Sequence, residues 1–410
     1  MLLTKIWKFR QLIVHSFLLA LGAFCQMAFI RNLYFELDSE EFSRAILLIG
    51  LSTLLPFLDF GLFGATTFSV TGFIRSSNPL TFMEIQWTRR YGAFVVGFSF
   101  FVGSSIIFFD SSRDLGLFLI LNAILIIGIW HLIAVRSFGF PIFALVATNI
   151  QWPIALILSE LLKRSTLELD HSYGFIPLFS SIFVTFTLMP ICRKILKTRL
   201  REKSDGSIYY AGILKSKISL RVTYIFLSAI PLPLILQLDK YILVRTETPS
   251  EVNLYAIYML VFTGFFTLIA KQHVSVTRER LASPTLLSSF ADLRLVGLFC
   301  SLTYALFGLK FVNDFFQVPE SNLPLILLGS CYLFILSIML YLSLSLATFE
   351  FIRIRSWLSW IHFVAWLFLT MLLIPQIGVY APWTSGIFCA VLHSLAIVIR
   401  VREVNAEIYK

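Results

Sequence analysis

Charged residues are scarce in this chain, and their scarcity excludes a water-soluble protein. Only 14% of the 410 residues are Asp, Glu, Lys or Arg, whereas 58% are hydrophobic and 42 are Phe. No soluble domain can keep so much apolar surface away from water. The sequence therefore predicts an all-α integral membrane protein whose solvent is the lipid bilayer.

Acidic residues are the scarcer of the two charge types, and the chain has a formal net charge of +10. In a soluble protein such an excess of cations would suggest a nucleic-acid partner. Here the Lys and Arg residues lie mainly in short segments between apolar runs, which is typical of membrane topology. We therefore expect membrane lipids, and not nucleic acid, around the protein.

Cysteines are few and stand alone, so the sequence predicts neither a disulfide framework nor a zinc site. None of the five belongs to a C-x-x-C pair or has a His at ligand spacing. The sequence also lacks a glycine-rich phosphate loop, an H-E-x-x-H motif and a nucleophile elbow. We expect a protein that is not an enzyme and that needs no metal or cofactor.

Apolar runs are what the sequence has in abundance, and each is close to the roughly twenty helical residues that cross a bilayer. They predict about twelve transmembrane helices. The runs lie near residues 11–30, 42–70, 91–109, 115–135, 141–159, 173–192, 218–238, 252–270, 292–309, 323–347, 357–374 and 379–399.

The distribution of Lys and Arg predicts the orientation of these spans. If the spans alternate, the side that holds both termini receives 23 of these residues, and the other side receives seven. Cytoplasmic loops carry the excess of Lys and Arg in membrane proteins, and a wrong helix count would destroy the alternation. Both termini are therefore predicted to be cytoplasmic.

A basic segment divides the chain in half. Residues 193–217 contain the run RKILKTRLREK, which fits a cytoplasmic loop attracted to anionic lipid. The sequence thus predicts two pseudo-symmetric six-helix lobes, residues 1–192 and 218–410, an architecture known in carriers that handle their substrate between lobes. A shift of 211 positions aligns identical residue types of the two halves: Gln26, Glu36, Ser39, Glu40, Ala45 and Ile46 with Gln237, Glu247, Ser250, Glu251, Ala256 and Ile257.

Asp59 is the most informative charge, because it lies within the second predicted span, in the segment PFLDFGLFGATTF. A carboxylate is costly in hydrocarbon, and the neighbouring Pro56, Gly61 and Gly64 are typical of a helix that bends or breaks. We consider Asp59 a candidate for ion coupling or gating. The alternative is a structural Asp at a helix end that bonds to nearby backbone.

Asp239 and Lys240 end the seventh predicted span, on the side opposite the termini. Asp239 is a second candidate for ion coupling or gating, although the two adjacent charges could equally cap a helix end. Lys240 and Arg245 are candidates for contact with an anionic headgroup. Three further candidates for phosphate contact lie near span ends, where snorkelling also explains such residues: Arg44, Arg221 and Arg294.

Histidines occur in or beside four spans, as His15, His131, His362 and His393. They are scattered along the sequence, so we interpret each as a packing residue and not as part of a proton relay.

Two short motifs resemble those of bacterial O-antigen and capsule flippases, the polysaccharide transporters of the multidrug, oligosaccharidyl-lipid and polysaccharide exporter superfamily. The first is LDFGL at residues 58–62, where the family has a Leu-Asp-Leu-Gly-Leu-like run. The second combines Asp239 and Lys240 with the run NLY at residues 253–255. Phe60 and Asn253 depart from the usual Leu and Gly of the family, which leaves the substrate open.

This resemblance implies a carrier that moves an undecaprenyl-pyrophosphate-linked oligosaccharide from the cytoplasmic to the periplasmic leaflet of a bacterial inner membrane. The partners it implies are the lipid-linked substrate, membrane lipids and other polysaccharide-assembly proteins. A hydrated, cationic passage that opens alternately would meet the physical need, since a sugar and a pyrophosphate cannot cross hydrocarbon while the lipid tail stays in it. No ATP site is visible in the sequence, so an ion gradient would have to drive the carrier if its transport is concentrative.

Two other functions remain open. One is a multidrug or small-metabolite antiporter of the same superfamily. The other is an enzyme, an integral membrane O-antigen polymerase, which would be expected to carry a large external loop with conspicuous Arg residues. The seven external cations of this chain are spread over several short loops.

Overall fold

The computed structural model describes most of the chain, and the described residues are helical with no β-strand among them. The prediction of an all-α protein is thus confirmed for this part. The described residues are 2–53, 62, 66–67, 70, 79–108, 113–138, 140–163, 172–201, 224, 227–228, 230–282, 289–317, 322–343 and 352–408.

The contacts divide the chain into two compact units, Met1–Val222 and Thr223–Lys410. We call them the N-terminal and the C-terminal unit. The described helices of the N-terminal unit are α1 Leu2–Glu36, α2 Ser39–Thr53, α3 Pro79–Phe108, α4 Arg113–Ser137, α5 Pro141–Lys163 and α6 Ile176–Arg201. Those of the C-terminal unit are α7 Pro231–Thr246, α8 Pro249–Ala282, α9 Ser289–Phe316, α10 Leu323–Ser343, α11 Ile352–Ile377 and α12 Ala381–Ile408.

Corresponding helices of the two units begin with side-chain caps. Asp38 Oδ1 accepts hydrogen bonds from the backbone N–H groups of Glu40 and Glu41, at 2.9 and 2.8 Å, at the start of α2. At the start of α8, the Thr248 hydroxyl and backbone N–H both donate to Glu251 Oε2, at 2.7 and 3.3 Å. These bonds satisfy polar groups that a helix start would otherwise leave unpaired.

Helix packing follows the same order in each unit. In the N-terminal unit α1 packs on α5, α3 on α4, α4 on α6, and α5 on α6; in the C-terminal unit α7 packs on α11, α9 on α10, α10 on α12, and α11 on α12. Small residues permit close crossings, since a Cβ on Gly103 of α3 would lie 2.8 Å from the Gly116 oxygen of α4. Membrane helices commonly approach through such residues.

Large apolar side chains on the outer faces of both units are suited to lipid. Phe101 and Phe108 of α3 are 71% and 84% exposed, and Phe299 and Leu306 of α9 are each 69% exposed. In the described residues, six helical segments are long and apolar enough to cross a membrane: Ile85–Phe108, Arg113–Ser137, Ile142–Lys163, Tyr173–Leu200, Leu323–Ser343 and Arg353–Arg402.

The prediction of about twelve spans agrees with the structure in where helices lie, since every predicted run overlaps a described helix. Twelve membrane crossings and cytoplasmic termini stay predictions. Helix α6 continues to Arg201, so the segment expected as a loop at residues 193–217 begins as helix, and its remaining residues lie outside the described part.

Candidate functional site

The charged residues singled out in the sequence fall into three groups. Asp59 and Arg221 lie outside the described residues, and Asp239 and Lys240 are buried together. The other three are exposed at helix surfaces: Arg44 with Nε 3.5 Å from Asp114 Oδ2, Arg245 in the last turn of α7, and Arg294 with its guanidinium 4.4 Å from the ring centroid of Tyr341.

Two hydrogen bonds hold Asp239 in place within the C-terminal unit. It lies in the middle of α7 and is only 2% exposed. The Tyr255 hydroxyl of α8 donates a hydrogen bond to Asp239 Oδ2 at 2.5 Å, and the Lys240 backbone N–H donates to Oδ1 at 2.7 Å. A buried carboxylate is costly unless it is hydrogen-bonded, and these two hydrogen bonds offset part of that cost for Asp239.

The Lys240 ammonium compensates the charge of Asp239. Adjacent residues on a helix do not face one another, so the lysine side chain folds back, and its Nζ donates to the Leu236 carbonyl at 3.1 Å. In that position Nζ is 3.9 Å from Asp239 Oδ1. Lys240 is thus occupied inside the unit, and an anionic ligand at the outer surface would reach it only after the side chain had moved.

Tyr255 connects this pair to a group of packed aromatic rings from four helices. The Tyr255 ring lies 5.4 Å from that of Trp383, and Phe262 stacks on Tyr332 and on Trp383, at 5.4 Å each. Tyr304 meets Phe262 edge-on at 6.1 Å. We call Asp239, Lys240, Tyr255, Tyr304, Tyr332 and Trp383 the Asp239 cluster.

Several polar atoms of the cluster are buried without a hydrogen-bond partner among the described residues. They are the Tyr304 and Tyr332 hydroxyls and the Trp383 indole nitrogen, together with the hydroxyl of the nearby Ser385. Buried polar groups in proteins are nearly always paired. Within the described residues these atoms are therefore the unsatisfied polar groups of the cluster.

Two glycines provide the space for the tyrosines. A Cβ on Gly329 of α10 would lie 2.6 Å from the Tyr304 oxygen, and one on Gly386 of α12 would lie 2.6 Å from Tyr332 Cζ. Sequence reasoning identified Asp239, Lys240 and Tyr255 but missed the other rings. Aromatic residues are spread along nearly every span, so no pattern distinguished those that face inward.

The loop between α7 and α8 lies close to this cluster in the sequence and carries a perturbed acid. Partial burial, and repulsion from Glu251, raise the pKa of the Glu247 carboxyl. Gly378, with a φ of +53°, leaves room for Glu247, whose Oε2 would lie 3.4 Å from a Cβ at that glycine.

A hydrogen bond nearby joins the starts of α10 and α12. The Asn322 side-chain amide donates to the Tyr380 hydroxyl at 2.9 Å.

A second candidate site is a basic crevice in the N-terminal unit, with a volume of about 790 Å³. We define the basic crevice by its polar lining residues Arg89 of α3, His131 of α4, and Arg193, Lys194 and Lys197 of α6. No described lining residue is acidic. The crevice lies at helix ends that are predicted to be cytoplasmic, and its charge suits a phosphate group.

The sequence had indicated the α6 cations, through the run RKILKTRLREK, but only as a topology signal. Arg89 is more than a hundred residues away in the sequence, and nothing local indicated that it faces them. Trp130 forms the apolar floor of the crevice; it is 6% exposed, and its indole nitrogen has no partner among the described residues.

The structure corrects the interpretation of two histidines as scattered. His362 of α11 and His393 of α12 are both buried, and their Nδ1 atoms are 3.0 Å apart. Within the described residues, no group of three or more His, Cys, Asp or Glu side chains is arranged to hold a metal ion.

No protein-family profile and no curated protein sequence matches this chain. Solved structures do match over nearly its whole length. The chain is similar to an outward-facing multidrug resistance MATE family transporter of the MOP superfamily, with a TM-score of 0.62 and 13% identity over 96% of each chain.

Other MATE structures give the same result. A MATE transporter in complex with MaD3S has a TM-score of 0.62 and 13% identity, over 95% of this chain and 96% of that chain. A mutant MATE transporter of Vibrio cholerae has a TM-score of 0.58 and 10% identity over 97% of each chain. At such low identity the likeness establishes the fold alone, and that fold is MATE-like.

Proposed function

We propose that this protein is a multi-pass membrane transporter that works by alternating access. Its fold is that of known transporters over nearly the full chain. Fold by itself does not determine function, but the proposal is also supported by charged groups placed inside lipid-exposed helix bundles. Such residues are costly in a membrane and are typical of ion and substrate pathways.

Two substrate classes are compatible with this proposal. The matching structures favour a multidrug or small-metabolite antiporter, because a matching structure with a TM-score of 0.62 is described as a multidrug resistance transporter. The sequence motifs favour a flippase for undecaprenyl-pyrophosphate-linked oligosaccharides of O-antigen or capsule, acting in a bacterial inner membrane.

The basic crevice is the observation that supports the lipid-linked substrate. Three helices of the N-terminal unit contribute four Lys or Arg residues and one His to it, with no acidic residue among the described lining. A pyrophosphate is a strong, multivalent acceptor, and converging Arg and Lys side chains are the usual protein ligands for it. A cationic drug would be repelled by the same charges.

Ion coupling is assigned in this proposal to Asp239 and, outside the described residues, to Asp59. The Asp239 carboxylate already has an internal cation, Lys240, 3.9 Å away. A proton or cation that reached Asp239 would neutralise its carboxylate and leave the Lys240 ammonium without a counter-charge inside the unit. The C-terminal unit would then have two electrostatic states in a transport cycle, one with Asp239 charged and one with Asp239 neutralised.

The test of the substrate uses the purified protein in liposomes, with a fluorescent lipid-linked oligosaccharide in one arm and a cationic dye in the other. We expect the wild type to translocate the lipid-linked oligosaccharide. The triple variant Arg89→Gln, Arg193→Gln, Lys197→Gln should lower that rate roughly tenfold or more, since each lost charged hydrogen bond contributes about 1.5–3 kcal/mol.

Arg199→Gln is the matched control. Arg199 also lies on α6, but its guanidinium rests 5.6 Å from the Phe140 ring centroid and does not line the basic crevice. The control should keep the wild-type rate. Dye transport that is insensitive to the triple variant, with no oligosaccharide translocation, would establish the antiporter alternative instead.

A further inference from the structure

A small cavity inside the C-terminal unit lies beside the His362–His393 pair. Its volume is about 50 Å³, several times the ~10–15 Å³ that one water molecule needs. Helices α7, α10, α11 and α12 bound it, and we call it the histidine cavity. Its hydrogen-bonding side chains include Ser343, Arg355, Ser359, His362 and His393.

The sequence of α11 places three of these residues on one face. Arg355, Ser359 and His362 are separated by four and then three positions, which is the spacing of neighbours along a single helix face. Helix α12 brings His393 to the same place, with Nδ1 3.0 Å from Nδ1 of His362. The polar stripe ends at an apolar layer, in which Ile235, Trp366 and Cys389 pack together.

The hydrogen bond between the imidazoles fixes where one proton lies. One Nδ1 must donate and the other accept, so the accepting ring is neutral and carries its only proton on Nε2. When His362 accepts, its Nε2 is an N–H donor, and this buried nitrogen has no partner among the residues that the structure describes. When His393 accepts, its own Nε2 carries the proton and is an N–H donor. Either way the pair offers an N–H donor.

The charge of the histidine cavity selects the ligand. Arg355 carries a permanent positive charge, and none of the described lining residues is Asp or Glu. A metal or sodium ion would therefore meet repulsion without a carboxylate ligand, whereas an apolar molecule would leave the donors unpaired. An oxyanion meets the planar guanidinium fork of Arg355, an imidazole donor and the Ser359 hydroxyl.

We propose that Arg355, His362 and His393 form a binding site for a single phosphate-type oxyanion. The cavity, at about 50 Å³, is much smaller than the basic crevice and lies in a different unit. The ligand is either free phosphate or the phosphate of a lipid headgroup. The site is independent of the proposed function, because binding can be measured on purified protein without transport.

The experiment measures thermal unfolding of the full chain in neutral detergent, with increasing inorganic phosphate at an ionic strength held constant with chloride. Phosphate should raise the Tm of the wild type. Arg355→Gln should weaken the apparent affinity roughly tenfold or more, because charged hydrogen bonds are lost. Arg353→Gln is the matched control, since Arg353 is exposed on the same helix and does not line the cavity.

A second series separates the lipid source and guards against misfolding. The Tm of the protein is compared in nanodiscs of phosphatidylcholine with phosphatidic acid and in nanodiscs of phosphatidylcholine alone. If phosphatidic acid raises the Tm of Arg353→Gln but not that of Arg355→Gln, the site binds lipid phosphate. Arg355→Lys retains the charge but not the fork, so it should bind more weakly than Arg353→Lys. The double variant His362→Gln, His393→Gln should also bind more weakly. Equal responses of the Arg355 and Arg353 variants to both probes would overturn the proposal.

Discussion

The two units share one arrangement of helix pairs but bury different groups between them. With the shift of 211 residues, Asp239 and Lys240 of α7 correspond to Ala28 and Phe29 of α1. Phe29 is fully buried, and its ring centroid lies 6.2 Å from that of Trp152. The position of a buried ion pair in one unit is therefore an ordinary apolar contact in the other.

The ion pairs of Lys163 in the N-terminal unit lie instead at helix ends. Lys163 of α5 pairs with Glu36 of α1, and its Nζ is 2.7 Å from Glu160 Oε1. These side chains are partly exposed, so little desolvation opposes the pairing. Among the described residues, the N-terminal unit thus has an apolar contact at the position of this pair, and we attribute the costly Asp239–Lys240 pair of the C-terminal unit to function.

The largest effect is expected where the difference between the units is greatest. Asp239→Ala leaves the Lys240 ammonium buried without its carboxylate, and should lower the free energy of unfolding by about 3–5 kcal/mol. Replacing both residues, as Asp239→Leu with Lys240→Met, should restore much of that loss, since this position of α7 then becomes apolar like the corresponding position of α1. Denaturant unfolding in detergent, arranged as a double-mutant cycle, measures both values. A double variant as unstable as Asp239→Ala would contradict the explanation by charge.

A smaller effect is expected at the glycines of the Asp239 cluster. Gly329→Ala or Gly386→Ala places a methyl group 2.6 Å from a tyrosine atom, and overpacking of this kind costs about 1–3 kcal/mol. Gly264→Ala on α8 and Gly97→Ala on α3 are matched controls, because a Cβ at either would meet nothing within 4 Å. These controls should be neutral or stabilising by up to about 1 kcal/mol, as read from the Tm of each variant.

The smallest effect is expected at the helix-end ion pairs of the N-terminal unit. Lys163→Met should cost about 1 kcal/mol or less, because both glutamates are more than one third exposed. The loss should shrink as salt is added, since salt screens exposed charges. Unfolding at low and high ionic strength tests this. If the loss in free energy of unfolding caused by Asp239→Ala also decreased at high salt, the contrast between the two units would be removed.

Parts of the candidate sites could be predicted because charge in an apolar run is conspicuous. Asp239 was identified in this way, and Tyr255 through the neighbouring run NLY. The α6 cations were visible, but the sequence could not show that Arg89 faces them across a crevice. Asp59 and Arg221 lie outside the described residues, so their roles stay predictions.

By itself, the sequence determined that the chain is helical and immersed in lipid, because long apolar runs can satisfy their backbone in a bilayer only as helices. The tertiary structure alone decided which polar groups meet. His362 and His393 are 31 residues apart on different helices. Nothing in the sequence distinguishes the buried Tyr304 and Tyr332 from the many exposed aromatic residues of the chain. A side chain in an apolar helix carries no local mark of the neighbour it contacts, since that neighbour is supplied by another helix.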